Sequence, residues 1–428
     1  MGGDCTWTGC VPSKALVHAA NLAHAARGRG WLAGDVDFAA VMRGVREAVR
    51  RVSELESVES LSDRGIKVVH GAGRFLDAGT VEADGRRLDA RRFVVCTGAE
   101  PSLPPIPGLD AVPYLTYRTV FDIEALPRRL LLLGGGPLGC ELAQALGRLG
   151  SRMTVLEQLD RLLPAADPEA SAIIEERFRS EGIELVLGGA VERVESDGAG
   201  VAVVVAGARR SGDALLVAAG RRPLVHGLGL EGIGVAVSRR GIEVDRNLRT
   251  SVRHVYAAGD VTGGPQFTHY AVWQGYAAAR NALFPSSVRG VRTPVPWAVF
   301  TDPEVAQVGL TGEEARASVR RVEVHRLPVE RIDRAQAEGD AAGFVKVVTA
   351  GGDRLLGATI VSSSAADVAN QLAGAIERGM GLSSLARVVQ IYPTRGYGLL
   401  QLASESRLEH ASSSRAVKLL RRLSRWSG

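Results

Sequence analysis

Cys5 and Cys10, separated by four residues in the stretch Gly2-Gly3-Asp4-Cys5-Thr6-Trp7-Thr8-Gly9-Cys10-Val11-Pro12-Ser13-Lys14, are the side chains whose type and spacing most directly imply chemistry. The stretch reads as a glycine-containing loop, and the Ala- and Leu-rich run Ala15 to Ala26 that follows reads as a helix. Pro12 suits the first turn of that helix, where a missing N–H costs nothing. Cys10 then sits at the positive end of the helix dipole, which favours thiolate over thiol. Lys14, four residues further on, returns to the same face and adds a cation. A thiol pair with one member activated in this way is a dithiol/disulfide redox centre. The other readings are two buried structural cysteines or half of a zinc site. Zinc requires two more ligands, and the remaining cysteines, Cys96 and Cys140, each belong to a separate glycine motif. No metal site is therefore expected.

A second chemical signature follows the apolar strand beginning at Arg129. Gly134, Gly136 and Gly139 form a G-x-G-x-x-G turn, a helix is expected from Leu138 to Leu149, and a second strand, Arg152 to Leu156, ends in Glu157. Glu157 lies eighteen positions beyond Gly139, close to the roughly twenty expected of a ribose-binding carboxylate. The glycines let the backbone approach a pyrophosphate at the helix N-terminus. Glu157 can accept both ribose hydroxyls and would repel a 2′-phosphate, so NADH is expected over NADPH, with Arg152 and Arg161 the cations that act the other way. A glycine-rich packing turn is the alternative. Two further strands run into glycine, Val94 to Gly98 through Thr97, and Ala214 to Gly220. Thr250 to Asp260 is a third strand, ending Gly259-Asp260, and an acid at the carboxyl end of a strand suits a hydroxylated ligand arm.

The elements that must position these residues occupy 428 residues with 46% hydrophobic content, enough for two to four domains. A net charge of +5 suits a binder of phosphate-bearing cofactors and gives little reason to expect nucleic acid. Four cysteines do not make a secreted disulfide framework, so a reducing cytoplasm is expected. No apolar run reaches the length of a membrane span, and the start has no apolar signal core. A helix is expected over Phe38 to Ser60, short strands over Ile66 to Val69 and Gly73 to Leu76, and a hairpin turn within Val81 to Arg86. An extended, proline-rich crossover spans Pro101 to Pro107, and the Ala-rich segment Thr268 to Leu283 reads as a helix. From Pro294 the texture changes to antiparallel strands, Phe344 to Val348 and Leu355 to Val361, then helices Ala365 to Met380 and Ser383 to Val389. This reads as a separate α+β domain. The basic tail, Arg415 to Trp426, reads as a solvated closing helix or frayed end, with membrane-surface attachment the lesser alternative.

Taken in order, these motifs resemble the flavoprotein disulfide reductase family, whose members include dihydrolipoamide dehydrogenase, glutathione reductase and mercuric reductase. Thr301-Asp302-Pro303-Glu304-Val305-Ala306-Gln307-Val308-Gly309 resembles the opening of the family's dimerisation domain, and Gly3-Asp4-Cys5-Thr6-Trp7-Thr8-Gly9-Cys10 is most similar to the mercuric-reductase-like branch. The resemblance implies two Rossmann-like nucleotide-binding domains and a C-terminal α+β dimerisation domain in a homodimer. Their bounds would be 1–118 for the FAD-binding domain, 119–240 for the NAD(P)-binding domain, 241–292 for the return segment of the first, and 293–428 for dimerisation. It further implies that electrons pass from NADH through FAD to a Cys5–Cys10 disulfide. Cys10 would be the flavin-proximal thiol and Cys5 the interchange thiol. Lys14 would lie near the flavin N5 and pair with Glu141, while Asp260 would hold the ribityl chain.

Three departures accompany the resemblance. The family's first strand, glycine fingerprint and acid-ended second strand precede its active site, and here the sequence begins at Met1-Gly2-Gly3; the FAD domain is therefore expected to be incomplete, through a late-called start or a truncated paralogue. The family's His-Pro-Thr appears as Tyr392-Pro393-Thr394, so Tyr392 is expected to act as a hydrogen-bond donor rather than an acid/base at neutral pH. No cysteine follows Cys140, so the C-terminal cysteine pair that delivers Hg(II) in mercuric reductases has no counterpart. The expected activity is an NADH oxidoreductase whose acceptor is a small molecule, disulfide or metal ion. The competing expectation is a catalytically silent NAD-binding scaffold.

Overall fold

The glycine-rich turn at 134–139 and the thiol stretch at the chain's head both lie in the first of two units of a computed structural model, which describes residues 2–284, 288–351 and 353–413. The first unit comprises the chain up to Asp160 with Phe178–Val295; the second comprises Arg161–Arg177 and the described residues from Pro296 onward. The basic tail from Arg415 lies outside the described residues.

The first unit begins with α1 (Gly3–Trp7), α2 (Cys10–Gly28), α3 (Phe38–Leu55) and α4 (Val58–Ser62). Residues 3–7 are thus helical where a loop was expected, and the helix expected over Phe38 to Ser60 is broken between α3 and α4. Asp37 caps α3 by accepting from the Ala40 N–H, and Ser57 caps α4 through Ser60, so a second start signal interrupts the apolar periodicity. Strands β1 (Arg74–Asp77), β2 (Thr80–Ala83) and β3 (Arg86–Asp89) form an antiparallel meander whose second turn carries Asp84 and Gly85 at φ of 52° and 68°. Ile66 to Val69, expected as a strand, forms none: Ile66 is exposed and its N–H instead bonds the Leu61 carbonyl.

Next come β4 (Phe93–Val95), β5 (Ala99–Pro101), β6 (Arg129–Leu133), α5 (Pro137–Arg148) and β7 (Arg152–Glu157). Helix α6 (Pro168–Ser180) leads to β8 (Glu184–Leu187), β9 (Val191–Asp197), β10 (Gly200–Val205), β11 (Ala208–Gly212) and β12 (Ala214–Val217). The parallel sheet has the order β12-β6-β7-β8, so the strand order reverses at β6, where a crevice for a ligand opens at the carboxyl ends. Leu130, Leu131 and Leu132 are all buried, as an interior parallel strand requires. Antiparallel β11-β10-β9 adds Val201, Val203 and Val205 to the core that Leu131, Leu156 and Leu215 supply from the parallel sheet. The unit continues with β13 (Arg221–Pro223), the short ladder β14 (Val237–Ser238) and β15 (Gly241–Ile242), β16 (Val255–Ala257) and α7 (Thr268–Leu283). Strand β16 lies parallel to β4, and β13 antiparallel to β5.

In the second unit, β17 (Trp297–Val299), β18 (Glu304–Gly309), α8 (Gly312–Ser318), β19 (Val322–Pro328), α9 (Asp333–Glu338), β20 (Phe344–Ala350) and β21 (Arg354–Ser362) precede α10 (Ala365–Glu377), α11 (Leu382–Leu385) and α12 (Tyr397–Ser413). The strands form one antiparallel sheet in the order β17-β18-β21-β20-β19. Val345, Val347, Ala358 and Ile360 meet Val368 and Leu372 of α10 in its core. The expected strand pair and the first of the two expected helices are present, while the second is cut to a single turn, with Val388 and Val389 left exposed. Among the described residues no helix is long and apolar enough to cross a membrane.

Candidate active site

Cys5 is carried by α1, and Cys10 is the first residue of α2. What brings them together is Gly9, whose hypothetical Cβ would stand 2.8 Å from the Asp4 carbonyl oxygen, so only glycine lets α2 start against the backbone of α1. The two cysteines are free thiols, and Cys5 donates a hydrogen bond to Cys10. Cys10 Sγ is also 3.2 Å from Thr268 Oγ1. Thr268 is the first residue of α7, so the sulfur faces the positive ends of two helices rather than the one expected. Donation from Cys5, donation from Thr268 and the charge of Lys14, in that order, outweigh burial and lower the Cys10 thiol from 9.0 to about 6. Donation to Cys10 and burial push Cys5 the other way, well above the usual thiol range. The pair is therefore asymmetric: Cys10 holds the negative charge and Cys5 holds the proton.

Lys14, one turn beyond Cys10, donates to Glu141 Oε2 at 2.5 Å and to Ser13 Oγ at 3.4 Å. Glu141 lies on α5, close behind the glycine turn, and is 3% exposed. Its charge is thus compensated within the fold, as a buried carboxylate requires. Glu157 ends β7 and accepts from the Gly135 N–H at 2.7 Å and the Leu159 N–H at 2.9 Å. Each carboxylate oxygen is oriented by a backbone donor and keeps a lone pair for a ribose hydroxyl. Gly139 is required by contact, since a Cβ there would lie 2.0 Å from the Gly134 carbonyl oxygen. Gly136 caps α5, and a Cβ on it would meet nothing within 4 Å, leaving the helix N-terminus accessible to an anion.

Pairing of β5 with β13 joins the two strand–glycine motifs. Thr97 Oγ1 donates to the Leu224 carbonyl at 2.7 Å, the Leu224 N–H returns to the Gly98 carbonyl at 2.9 Å, and the Ser102 N–H bonds the Gly220 carbonyl at 2.9 Å. Gly259, at φ 80° and ψ −158°, makes the left-handed turn that presents Asp260. Arg221 binds Asp260 at 2.6 Å and Asp4 at 2.9 Å, and Tyr117 donates to Asp4 at 2.8 Å. Burial raises the Asp260 carboxyl against the opposing pull of Arg221. Arg221 Nε is buried without an acceptor among the described residues. A Cβ at Gly98 or Gly220 would meet nothing within 4 Å. An orphaned buried donor, a half-buried carboxylate and open backbone suit a polyhydroxylated, anionic cofactor arm.

Tyr392 lies in the second unit, exposed, donating to Asp333 Oδ2 at 2.9 Å and edge-on to Tyr397 at 5.3 Å between ring centroids. Donation to Asp333 raises its phenol, so it remains a protonated donor at neutral pH. Thr268, Asp4, Arg221 and Tyr117 join the site without having been singled out as site residues from sequence. Their only linear signals are positional, Asp4 beside Cys5, Arg221 after Gly220 and Thr268 at the start of a predicted helix. Among the described residues no cluster of three or more histidine, cysteine or acidic side chains is placed to hold a metal ion.

Comparison with known proteins adds to this geometry. Residues 1–275 match the family described as pyridine nucleotide-disulphide oxidoreductase, and residues 295–400 match its dimerisation domain. Over 410 residues the chain is 36% identical to mercuric reductase of Bacillus cereus, covering 93% of this chain and 65% of that protein. It is 35% identical over 416 residues to dihydrolipoyl dehydrogenase of Thermus scotoductus, covering 94% of this chain and 89% of that one. The Cu(II) complex of the HOCl-induced flavoprotein disulfide reductase RclA from Escherichia coli superposes with a TM-score of 0.86 at 30% identity, over 94% of this chain and 91% of that one. The chain thus spans just under two thirds of the length of the Bacillus protein.

Proposed function

Because the chain belongs to the pyridine nucleotide-disulphide oxidoreductase family, we propose that it is an NAD(P)H oxidoreductase whose working group is the Cys5–Cys10 pair. The family is FAD-dependent, and FAD would supply the two-electron relay between the dinucleotide and the sulfurs. In the overall balance, NAD(P)H and the Cys5–Cys10 disulfide become NAD(P)⁺, a Cys10 thiolate and a Cys5 thiol. The hydride's electron pair breaks the S–S bond, its hydrogen is accounted for as the proton on Cys5, and no further co-reactant is needed.

The observation that carries this reading is the placement of Cys10 at the N-termini of both α2 and α7, 3.2 Å from Thr268 Oγ1, with Cys5 on the adjoining α1. Cys10 is lowered to about 6 and Cys5 is raised, which is the charge distribution the balance leaves behind. Thr268, Lys14 and the two helix N-termini stabilise the thiolate, and Glu141 keeps the Lys14 ammonium in place without an uncompensated charge. The half-buried Arg221 and Asp260 would hold the flavin's polar arm, with Thr97, Gly98, Gly220 and Gly259 shaping the backbone around it. The glycine turn and Glu157 would hold the dinucleotide, with NADH preferred because the oriented carboxylate disfavours a 2′-phosphate. Residues 1–118 and 241–292 would then serve the flavin, 119–240 the dinucleotide, and the segment from 293 a homodimer contact that includes Tyr392. The acceptor class is a disulfide or a thiol-seeking metal ion, in keeping with the mercuric reductase relatives, and a reducing cytoplasm suits a working dithiol. A silent scaffold is not favoured, since nothing in a scaffold would call for a lowered thiol beside a lysine paired with the buried Glu141.

Anaerobic reduction of the full chain with NADH in the presence of FAD tests the reading. A long-wavelength thiolate-to-flavin absorbance that Cys10→Ser abolishes is expected; reduction of bound flavin with no such absorbance in the unmutated chain would contradict it.

A further inference from the structure

Two of the side-chain joints between helices α2 and α5 share one spacing. Lys14 meets Glu141; seven residues further along each helix, Asn21 Oδ1 accepts from Arg148 Nη1 at 2.6 Å. Equal steps in the same sense mean that the helices run parallel here, with joints about 10.5 Å apart along the axis at 1.5 Å per residue. A third link closes the end, where Arg27 Nη1 donates to the Arg148 carbonyl at 2.5 Å, at the last residue of α5. Arg148 cannot swing to follow a sliding partner. Glu181 grips it in a fork, Nε to Oε2 at 2.8 Å and Nη2 to Oε1 at 2.5 Å, with side chains only 1% and 8% exposed. Gln144 Nε2 donates to the same Glu181 at 3.2 Å, and His24 Nε2 stands 3.9 Å from it. The planar guanidinium therefore offers Asn21 one direction and one height.

We propose that Asn21, Arg148 and Glu181 form an axial register lock between the two helices. Helix α2 carries the activated thiol at its N-terminus, and α5 presents its N-terminus at the glycine turn. Two parallel rods pinned at one height hold their leading ends at one separation. The lock keeps Lys14 opposite Glu141, and with it the thiol end of α2 opposite the dinucleotide end of α5. Arg148 is thus a positioning residue acting through the Lys14–Glu141 pair. Only the consequence for turnover rests on the oxidoreductase reading; the register itself does not.

The test uses the full chain carrying Asn21→Leu with Arg27→Ala, which removes the α2 half of the lock and leaves the Arg148–Glu181 ion pair whole. Acetic anhydride labelling of Lys14, read by peptide mass, reports the distant pair; NADH turnover with FAD reports its effect. Expected are a severalfold rise in Lys14 labelling and a fall in kcat of about tenfold with KM for NADH within about twofold, since displacements of an ångström carry such costs. Asn21→Asp, which offers Arg148 a carboxylate in the same place, should keep both readouts at the unmutated level. Should the double variant fail to fold, Asn21→Ser alone carries the same expectation. Unchanged Lys14 labelling in a folded variant, or Asn21→Asp behaving like Asn21→Leu, overturns the lock. Altered labelling in a chain that never turns over NADH would sustain the lock and sink the oxidoreductase reading instead.

Discussion

Cys10 Sγ and Thr268 Oγ1 are 3.2 Å apart across 258 positions of sequence. The contact places the thiol at the N-terminus of α7 as well as of α2, and it makes one hydroxyl answerable for part of the thiolate's stability. Hydrogen bonds to charged groups contribute about 1.5–3 kcal/mol, equivalent to roughly one to two pKa units. Thr268→Val should therefore move the pH midpoint of Cys10 alkylation upward by about one unit or more, while Thr268→Ser leaves it in place. A midpoint that does not move in Thr268→Val would remove Thr268 from the site.

The pH dependence of stability follows from the same thiol. Folding lowers Cys10 from 9.0 to about 6, so its contribution is fully present above the unfolded value and is lost as pH falls through the folded one. The reduced chain should gain thermal stability over Cys10→Ser as pH rises from about 6 to about 9. Cys5 is raised, so its contribution has the opposite sign and erodes stability above the ordinary thiol value. A difference between the two proteins that is flat across this window, or that shrinks with rising pH, would contradict the assignment.

At the dinucleotide end, Glu157→Ala leaves the Gly135 and Leu159 N–H groups without their acceptor and removes the ribose partner. The expected loss is about tenfold to a hundredfold in NADH affinity, on the strength of hydrogen bonds to a charged group. NADPH affinity should fall less, so the ratio between the two dinucleotides narrows. Isothermal titration with each measures it, and an unaltered ratio would place the ribose elsewhere.

Gly139→Ala tests the helix–strand contact. Its Cβ would sit 2.0 Å from the Gly134 carbonyl oxygen, and rigid backbone on both sides leaves little room to yield. Overpacking of this kind costs about 1–3 kcal/mol. A lowered thermal midpoint together with weakened NADH binding is expected. Gly136→Ala, with open space around its Cβ, should leave the midpoint close to the unmutated value.

The sequence made some of this legible and not the rest, for physical reasons. The strand, glycine turn, helix and acid at Glu157 were readable because a dinucleotide fold writes its whole phosphate site into one continuous stretch. The thiol pair and the orientation of α2 were readable from local spacing and Pro12. Lys14 and Glu141 were paired through resemblance alone, because 127 positions separate them and no periodicity links them. Thr268 escaped because its role comes from the placement of α7, not from its own neighbourhood. The helical turn at 3–7 escaped because two glycines and a short run read as a loop until Gly9 is seen pressed against the Asp4 backbone. Ile66 to Val69 reads as a strand by composition, yet no partner strand comes alongside, with Ile66 exposed and Val68 and Val69 only half-buried.

On this mechanism Cys5 and Cys10 cycle together between disulfide and dithiol at the expense of a dinucleotide. Differential alkylation of the air-oxidised full chain, before and after NADH in the presence of FAD, followed by mass analysis of the Cys5–Cys10 peptide, tests it most directly. Both cysteines should be protected before NADH and labelled after it, with Cys96 and Cys140 unchanged by the treatment. Equal labelling of Cys5 and Cys10 with and without NADH would contradict it.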